Sequence, residues 1–179
     1  FPNSKIIHCT RNLKDTGLSL YKNAFEINSI VWSNDEENIV KYISIYLNLM
    51  KFWEEKLPKF IYNLDPTVLT SQIEQLTRYK ERKNRLKVEI KKLEKSSIKN
   101  KEKKIEKLKK KDTLGGINFD SVIIADFDES LKSVATSLLY TDVSSKRVHY
   151  IALNQWFDKT LLKETSLHPI YFPSINKKN

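Results

Sequence analysis

Cysteine, glycine and long apolar runs are all scarce in this chain of 179 residues. The single cysteine, Cys9, excludes an intramolecular disulfide. The three glycines, Gly17, Gly115 and Gly116, leave no glycine-rich loop of the kind that cradles nucleotide phosphates. No apolar run approaches the roughly 18 to 20 residues that a membrane-spanning helix needs. A hydrophobic content of 40% nevertheless predicts a folded core rather than wholesale disorder.

The positive charge of the chain is concentrated in one segment. The formal net charge is +10, yet residues 78–111 alone contain seventeen Lys or Arg and five Glu, a balance of +12. The remaining residues contain fifteen basic and seventeen acidic side chains, a balance of −2. A solvated lysine-rich helical surface accounts for this pattern, so we expect only weak, salt-sensitive binding to nucleic acid.

Short apolar runs that alternate with amphipathic helices predict an α/β fold. The predicted strands cover 5–9, 59–64, 121–126, 148–153 and 169–172. The principal helices are predicted after Asn12, over 35–56 and over 129–140. Continuous apolar strands joined by helices are typical of a parallel sheet. We therefore predict a short strand-helix-helix-strand unit, a protruding basic helical hairpin and a small parallel βαβ unit.

Two helical segments carry more specific expectations. The segment 67–111 has a thin apolar seam and lysine-rich outer faces, which predicts two antiparallel helices, with one unbroken helix as the alternative. In the helix over 35–56, five apolar residues recur at helical spacing and predict a side that belongs to the core: Ile39, Ile43, Tyr46, Met50 and Trp53.

Arg11 follows the first predicted strand, where parallel sheets tend to bind ligands. Such ligands lie beyond the carboxyl ends of strands, near helix N-termini. A guanidinium matches phosphate oxygens, and Ser19 adds a hydroxyl if the helix passes alongside. An ordinary surface turn has the same pattern, so the residues alone leave both interpretations open. Gly17, inside the same helix, indicates a close approach by a ligand or the packing of a neighbouring helix.

The segment FPNSKIIHCTRNLKDTGLSLYKNAF, residues 1–25, resembles the part of sulfotransferases that binds the sulfate donor 3′-phosphoadenosine 5′-phosphosulfate (PAPS). In that family an apolar strand precedes an arginine, with Asp four and Ser eight residues further on, as in Arg11, Asp15 and Ser19. The resemblance continues to residue 64. It implies that Arg11 and Ser19 bind the 3′-phosphate of PAPS.

Two parts of the sulfotransferase pattern have no counterpart in this sequence. The family uses a glycine- and serine-rich loop for the 5′-phosphosulfate, followed by a catalytic base, and neither is found here. The resemblance therefore implies a partial sulfotransferase, which contributes the 3′-phosphate subsite but does not transfer sulfate alone. It leaves the sulfate acceptor unknown.

Residues 65–179 resemble a second family, the bacterial penicillin-binding-protein activator lipoproteins. The resemblance is carried by DPTVLTSQIEQLTRYKERKNRLKVEIKKLEK, DTLGGINFDSVIIADF, LLYTDV and VHYIALNQWFD. That family has a type 1 periplasmic-binding fold, a two-lobed α/β domain with a ligand cleft. The resemblance implies a non-enzymatic module of the cell envelope that binds a ligand or a partner such as a cell-wall synthase.

Other candidate site residues follow the later predicted strands. Asp126, Asn154 and Gln155 lie where a ligand cleft would open in a parallel sheet. Asp126 and Asp128 have a spacing that can hold Mg²⁺, although a polar turn with a helix-capping carboxylate has the same spacing. The three histidines share no metal-ligand spacing, and no Ser-His-acid set is apparent. We predict no catalytic residue and no metal.

The two resemblances divide the chain at residue 64. The prediction is a sulfotransferase-like partial domain over 1–64 and a periplasmic-binding-like partial domain over 65–179, with the charged hairpin at 67–111. The first resemblance implies a cytoplasmic protein and the second a periplasmic one. Because the chain begins at Phe1 and ends without a clear terminal element, we expect a fragment. A natural fusion and an artefactual join both stay open.

Overall fold

A computed structural model describes residues 2–22, 31–125, 128–152, 163 and 167–173. The strands are β1 (Lys5–Cys9), β2 (Ile61–Leu64), β3 (Ser121–Ala125), β4 (His149–Ala152) and β5 (Ile170–Tyr171). The α-helices are α1 (Leu13–Lys22), α2 (Glu36–Lys56), α3 (Leu69–Leu76), α4 (Tyr79–Glu94), α5 (Lys101–Lys109) and α6 (Asp128–Tyr140). The predicted α/β fold is confirmed.

The five described strands form one parallel sheet in the order β2-β1-β3-β4-β5. Strand β1 is hydrogen-bonded on both sides, with Ile7 opposite Tyr62 of β2 and Ile124 of β3. The chain leaves β1 toward β2 and later returns past β1 to β3, so the strand order reverses at β1. Such a reversal is where doubly wound sheets bind ligands, beyond the carboxyl ends of their strands.

One face of the sheet carries the main core. Helices α3 and α6 pack on each other and against this face. The fully buried apolar residues of the strands are Ile7, Leu64, Val122, Ile124, Tyr150 and Ala152, and they meet Ile73 of α3 and Leu131, Val134 and Leu138 of α6. Burial of each such side chain contributes about 1.5 to 3 kcal/mol before conformational entropy is counted. This face therefore supplies most of the hydrophobic stabilisation.

The opposite face of the sheet is covered less completely by α2. Tyr46 of α2 contacts His8, which points away from the core face because side chains alternate along a strand. Ile39 is the one buried residue of this 21-residue helix. The predicted core side is therefore wrong for Trp53, which is 43% exposed. Helical spacing places an apolar side toward the sheet, but the sheet lacks the breadth to cover the whole helix.

The basic segment forms three helices rather than two or one. Arg78 and Asn100 adopt left-handed backbone conformations, with φ of 53° and 69°, and they separate α3 from α4 and α4 from α5. Helices α4 and α5 pack together, with Leu86 and Leu93 buried along a thin seam. The predicted hairpin is thus confirmed at α4 and α5, and the unbroken helix is wrong.

Arg82 fastens the base of the hairpin to the rest of the molecule. Its guanidinium donates to the carbonyl oxygen of Thr141 at 3.0 Å and to the hydroxyl of Thr113 at 2.7 Å. The Asp142 carboxylate lies 3.5 Å away. Arg82 is only 2% exposed, so burial lowers its pKa, and the charge of Asp142 counteracts part of this shift. The hairpin is therefore anchored by a buried charge.

We expect Arg82→Met to destabilise the fold by about 2 to 4 kcal/mol, because Thr141 and Thr113 lose a buried donor. Urea denaturation measures the change. Arg85→Met is the matched control, since Arg85 is exposed on the same helix and should change stability by less than about 0.5 kcal/mol. Equal effects of the two substitutions would contradict the anchoring role.

We expect Gly17→Ala to stabilise the protein by about 0.5 to 1 kcal/mol, because alanine is the better helix former. A Cβ atom at residue 17 would lie 3.5 Å from both Ile39 Cγ2 and Ile43 Cδ1, an ordinary packing distance. Gly116→Ala is the control: its Cβ would meet open space outside any helix, and thermal unfolding should detect little gain. A loss of stability in Gly17→Ala would show that α1 and α2 pack too closely for a methyl group.

Candidate functional site

A cleft of about 540 Å³ opens beyond the carboxyl ends of β1 and β2. Its walls are the segment that follows β2 and one side of α6. The lining residues are Cys9, Pro66, Thr67, Val68, Leu69, Thr70, Ser71, Ser130, Ser133, Val134, Thr136 and Ser137. We call this the hydroxyl cleft, since seven of these twelve residues are Ser or Thr. Its position agrees with the ligand sites of parallel sheets.

Some of these hydroxyl groups already make hydrogen bonds within the protein. Ser71 donates to the carbonyl oxygen of Val68 at 2.9 Å, and Thr136 donates to that of Lys132 at 2.8 Å. Within the described part of the chain, four lining hydroxyls make no hydrogen bond to another residue: Thr70, Ser130, Ser133 and Ser137. None of the described lining residues carries a charge. The cleft therefore offers uncharged donors and acceptors of the kind that sugars bind.

Asp65 fixes the turn that forms the rim of the hydroxyl cleft. Its carboxylate accepts hydrogen bonds from the backbone N–H of Thr67 at 2.9 Å and from the Thr67 hydroxyl at 2.7 Å. Both hydrogen bonds lower the pKa of Asp65, and the one from the Thr67 backbone N–H contributes more than the one from the Thr67 hydroxyl. Pro66 suits the first position of the turn. The chain thereby passes directly from β2 into α3, whose N-terminal residues line the cleft.

The two predicted phosphate ligands, Arg11 and Ser19, are not among the residues that line this cleft. Arg11 is exposed and follows the lining residue Cys9 by two positions. Asn12 caps α1, because its Oδ1 accepts from the N–H of Lys14 at 2.9 Å. Ser19 is half-buried two turns along α1, on the side opposite Gly17, since each helical residue turns by about 100°. Arg11 thus lies in the junction between β1 and α1, whereas Ser19 lies two helical turns further along the chain.

The other predicted site residues are not placed by the structure. Asp126, Asn154 and Gln155 lie outside the described residues. The backbone of Asp128 begins α6. The structure therefore does not test the two interpretations of Asp126 and Asp128, a polar turn and a magnesium site. Among the described residues, no cluster of three or more His, Cys, Asp or Glu is arranged to bind a metal ion.

A polar network under α2 was missed by the sequence analysis. His8 Nδ1 lies 2.8 Å from Asn63 Oδ1, and Asn63 donates to Glu54 Oε1 at 2.6 Å. Because Asn63 Oδ1 is an acceptor, Nδ1 carries the hydrogen, and Nε2 accepts from the Tyr46 hydroxyl. Burial is the main cause that raises the pKa of Tyr46. The available signal was two polar residues, His8 and Asn63, in otherwise apolar strands; they are paired in register on the face that α2 covers.

Apolar side chains line a second depression, of about 430 Å³, between α1 and α2. Its apolar lining residues are Leu13, Leu18, Tyr21, Ile39, Val40 and Ile43. The charged residues at its rim are Lys14 and Glu36. Its walls contain few polar groups that could orient a ligand, so the hydroxyl cleft is the better candidate site.

Comparison with protein-family models, curated proteins and solved structures finds no match for this chain. No α-helix in the described part of the chain combines the length and apolar character needed to cross a membrane.

We expect Tyr46→Phe to destabilise the protein by about 1 kcal/mol, because His8 Nε2 loses its donor in a half-buried position. Tyr42→Phe is the control on the same helix: Tyr42 is 49% exposed, and its hydroxyl makes no hydrogen bond to the described residues. Chemical denaturation of the two variants provides the comparison. If the network did not stabilise the protein, Tyr46→Phe and Tyr42→Phe would have the same free energy of unfolding.

Proposed function

We propose that this protein binds a phosphate-bearing nucleotide at the carboxyl edge of β1, without transferring a group itself. One observation carries the proposal: Arg11 presents an exposed guanidinium just beyond β1, the strand at which the order of the sheet reverses. Parallel sheets bind ligands at this position, and a guanidinium is a strong partner for phosphate oxygens.

The hydroxyl cleft supports a ligand that is larger than phosphate alone. Cys9 lines the cleft and precedes Arg11 by two residues, so a phosphate held by Arg11 would lie near the cleft mouth. Ser130, Ser133 and Ser137 can then bind the hydroxyls of an attached sugar. The N-terminal residues of α3 line the same cleft, and the positive end of the helix dipole favours an anion there.

The resemblance to sulfotransferases specifies this nucleotide as PAPS or its product, adenosine 3′,5′-bisphosphate. In that hypothesis Arg11 and Ser19 bind the 3′-phosphate. None of the described cleft residues is a histidine, lysine or carboxylate that could act as a general base. This supports binding rather than sulfate transfer, and no sulfate acceptor is required.

A second candidate function is favoured by the absence of charge among the described cleft residues. A neutral, hydroxyl-lined cleft also suits an uncharged ligand. That ligand would fit a binding module of the bacterial envelope, as the resemblance of residues 65–179 to penicillin-binding-protein activators implies. A cell-wall synthase would then be its partner. Binding of this kind should not depend on Arg11.

Calorimetric titration with adenosine 3′,5′-bisphosphate tests the first function. We expect Arg11→Ala to weaken binding about 10- to 100-fold, because a charge-assisted contact to phosphate is lost. Arg11→Lys should recover part of the affinity, since the charge remains but the planar fork does not. Arg147→Ala is the control: Arg147 is exposed, pairs with Asp142 and precedes β4, so it lies at the opposite edge of the sheet.

Two results would contradict the nucleotide proposal. The first is equal affinity of the wild-type protein and Arg11→Ala. The second is equal affinity for adenosine and for its bisphosphate, because binding would then owe nothing to phosphate. Binding that tolerates Arg11→Ala but is lost when Ser133→Phe fills the hydroxyl cleft would favour the second function.

A further inference from the structure

The end of the basic hairpin combines positive charge with one exposed apolar side chain. We call residues 95–101 the hairpin tip; they run from the C-cap of α4 to the first residue of α5. This segment contains Lys95, Lys99 and Lys101 and no acidic residue. Among these lysines Ile98 is 49% exposed. An exposed isoleucine among lysines suits a surface that is anionic on the outside and apolar just beneath.

Backbone hydrogen bonds give the hairpin tip a defined conformation. The N–H of Ser96 donates to the carbonyl oxygen of Leu93 at 3.1 Å, and the N–H of Lys101 donates to that of Ile98 at 3.2 Å. Asn100, with φ of 69°, turns the chain into α5. Leu93 is buried in the seam between the two helices, whereas Ile98 stays half exposed. The hairpin therefore presents Ile98 at its end and does not bury it in its own packing.

Ion pairs compensate positive charge at the base of the hairpin but not at its tip. At the base, Lys83 Nζ lies 3.6 Å from the carboxylate of Asp112. In the tip, Lys101 donates only to the carbonyl oxygen of Glu94, at 3.5 Å. None of the three tip lysines forms an ion pair with the described residues. Residues 91–104 together contain seven Lys and two Glu, a balance of +5. The uncompensated charge therefore lies toward the free end of the hairpin.

The residue types of the hairpin favour lipid over nucleic acid as the anionic partner. Residues 87–111 contain no arginine and no aromatic side chain. Proteins that bind nucleic acid commonly use arginine for phosphates and aromatic rings for bases. Clustered lysines beside an apolar side chain are typical of contact with an anionic bilayer. We propose that the hairpin tip docks on an anionic membrane surface, with its lysines at the lipid headgroups and Ile98 inserted among them.

The anchored base allows the tip to act at a distance from the rest of the molecule. Arg82 fastens α4 at the base, and the tip begins thirteen residues further on, about 20 Å along the helix axis. This exceeds the Debye length of about 8 Å at physiological salt, so acidic groups at the base have little effect on the tip. The tip shares no residue with the hydroxyl cleft and does not include Arg11. The inference is therefore independent of the proposed nucleotide binding.

Co-sedimentation of the full chain with lipid vesicles tests the docking. We expect binding to vesicles of equimolar phosphatidylcholine and phosphatidylglycerol but not to phosphatidylcholine alone, and the binding should weaken as salt screens the lysines. Each lysine near the surface contributes about five-fold in affinity, so Lys95→Gln combined with Lys99→Gln should weaken binding about 25-fold. Lys109→Gln combined with Lys111→Gln is the matched control: it removes the same charge at the base end of α5 and should change affinity little.

A second pair of variants tests the insertion of Ile98. Ile98→Ser should weaken binding to the anionic vesicles about three- to ten-fold, because an apolar side chain is lost from the interface. Val88→Ser is the control: Val88 is 55% exposed, but it lies six residues before the end of α4, so affinity should not change. In a Cys9→Ser background, an environment-sensitive fluorophore on Ile98→Cys should shift to the blue when vesicles are added. The same fluorophore on Val88→Cys should not.

Three results would overturn the proposal. The first is the absence of vesicle binding, or equal binding to vesicles with and without phosphatidylglycerol. The second is equal affinity of Ile98→Ser and Val88→Ser, because Ile98 would then not be inserted. The third is duplex DNA that binds more tightly than the anionic vesicles in the same buffer and displaces the protein from them, which would assign the hairpin tip to nucleic acid.

Discussion

The double pairing of β1 is the constraint on which the rest of the structure depends. Its backbone is hydrogen-bonded to β2 on one side and to β3 on the other, and Ile7 is fully buried at the centre. Both neighbours are distant in sequence, so the pairing joins three remote segments of the chain. Because β1 is where the strand order reverses, it also brings Arg11, α1 and the hydroxyl cleft to one edge of the sheet.

The two faces of this sheet are stabilised by different interactions. On one face α3 and α6 bury a continuous apolar core. On the other face α2 is held partly by hydrogen bonds, through Tyr46 to His8 and through Glu54 to Asn63. Polar contacts of this kind fix orientation more than they exclude water. The outer flank of α2 therefore stays exposed, with Val40, Tyr42, Ile45 and Leu49 among its exposed apolar residues.

The sequence predicted most of the local structure because local structure follows short-range rules. Asn12 and Asp35 precede α1 and α2 and are of the residue types that cap helices. Both side chains accept hydrogen bonds from the first turn of their helix. The strands were apparent from continuous apolar runs. The core assignment of Trp53 was wrong because periodicity gives the direction of a helical face and not the extent of the surface that covers it.

The sequence by itself determined the α/β class, the approximate bounds of α2 and α6 and the position of Arg11 after an apolar strand. Only the tertiary structure decided the strand order, the hydroxyl cleft and the burial of Arg82 against Thr113, Thr141 and Asp142. The physical reason is distance along the chain. Caps and helical periods involve residues a few positions apart, whereas the cleft and the buried arginine require groups that meet only when remote strands pair.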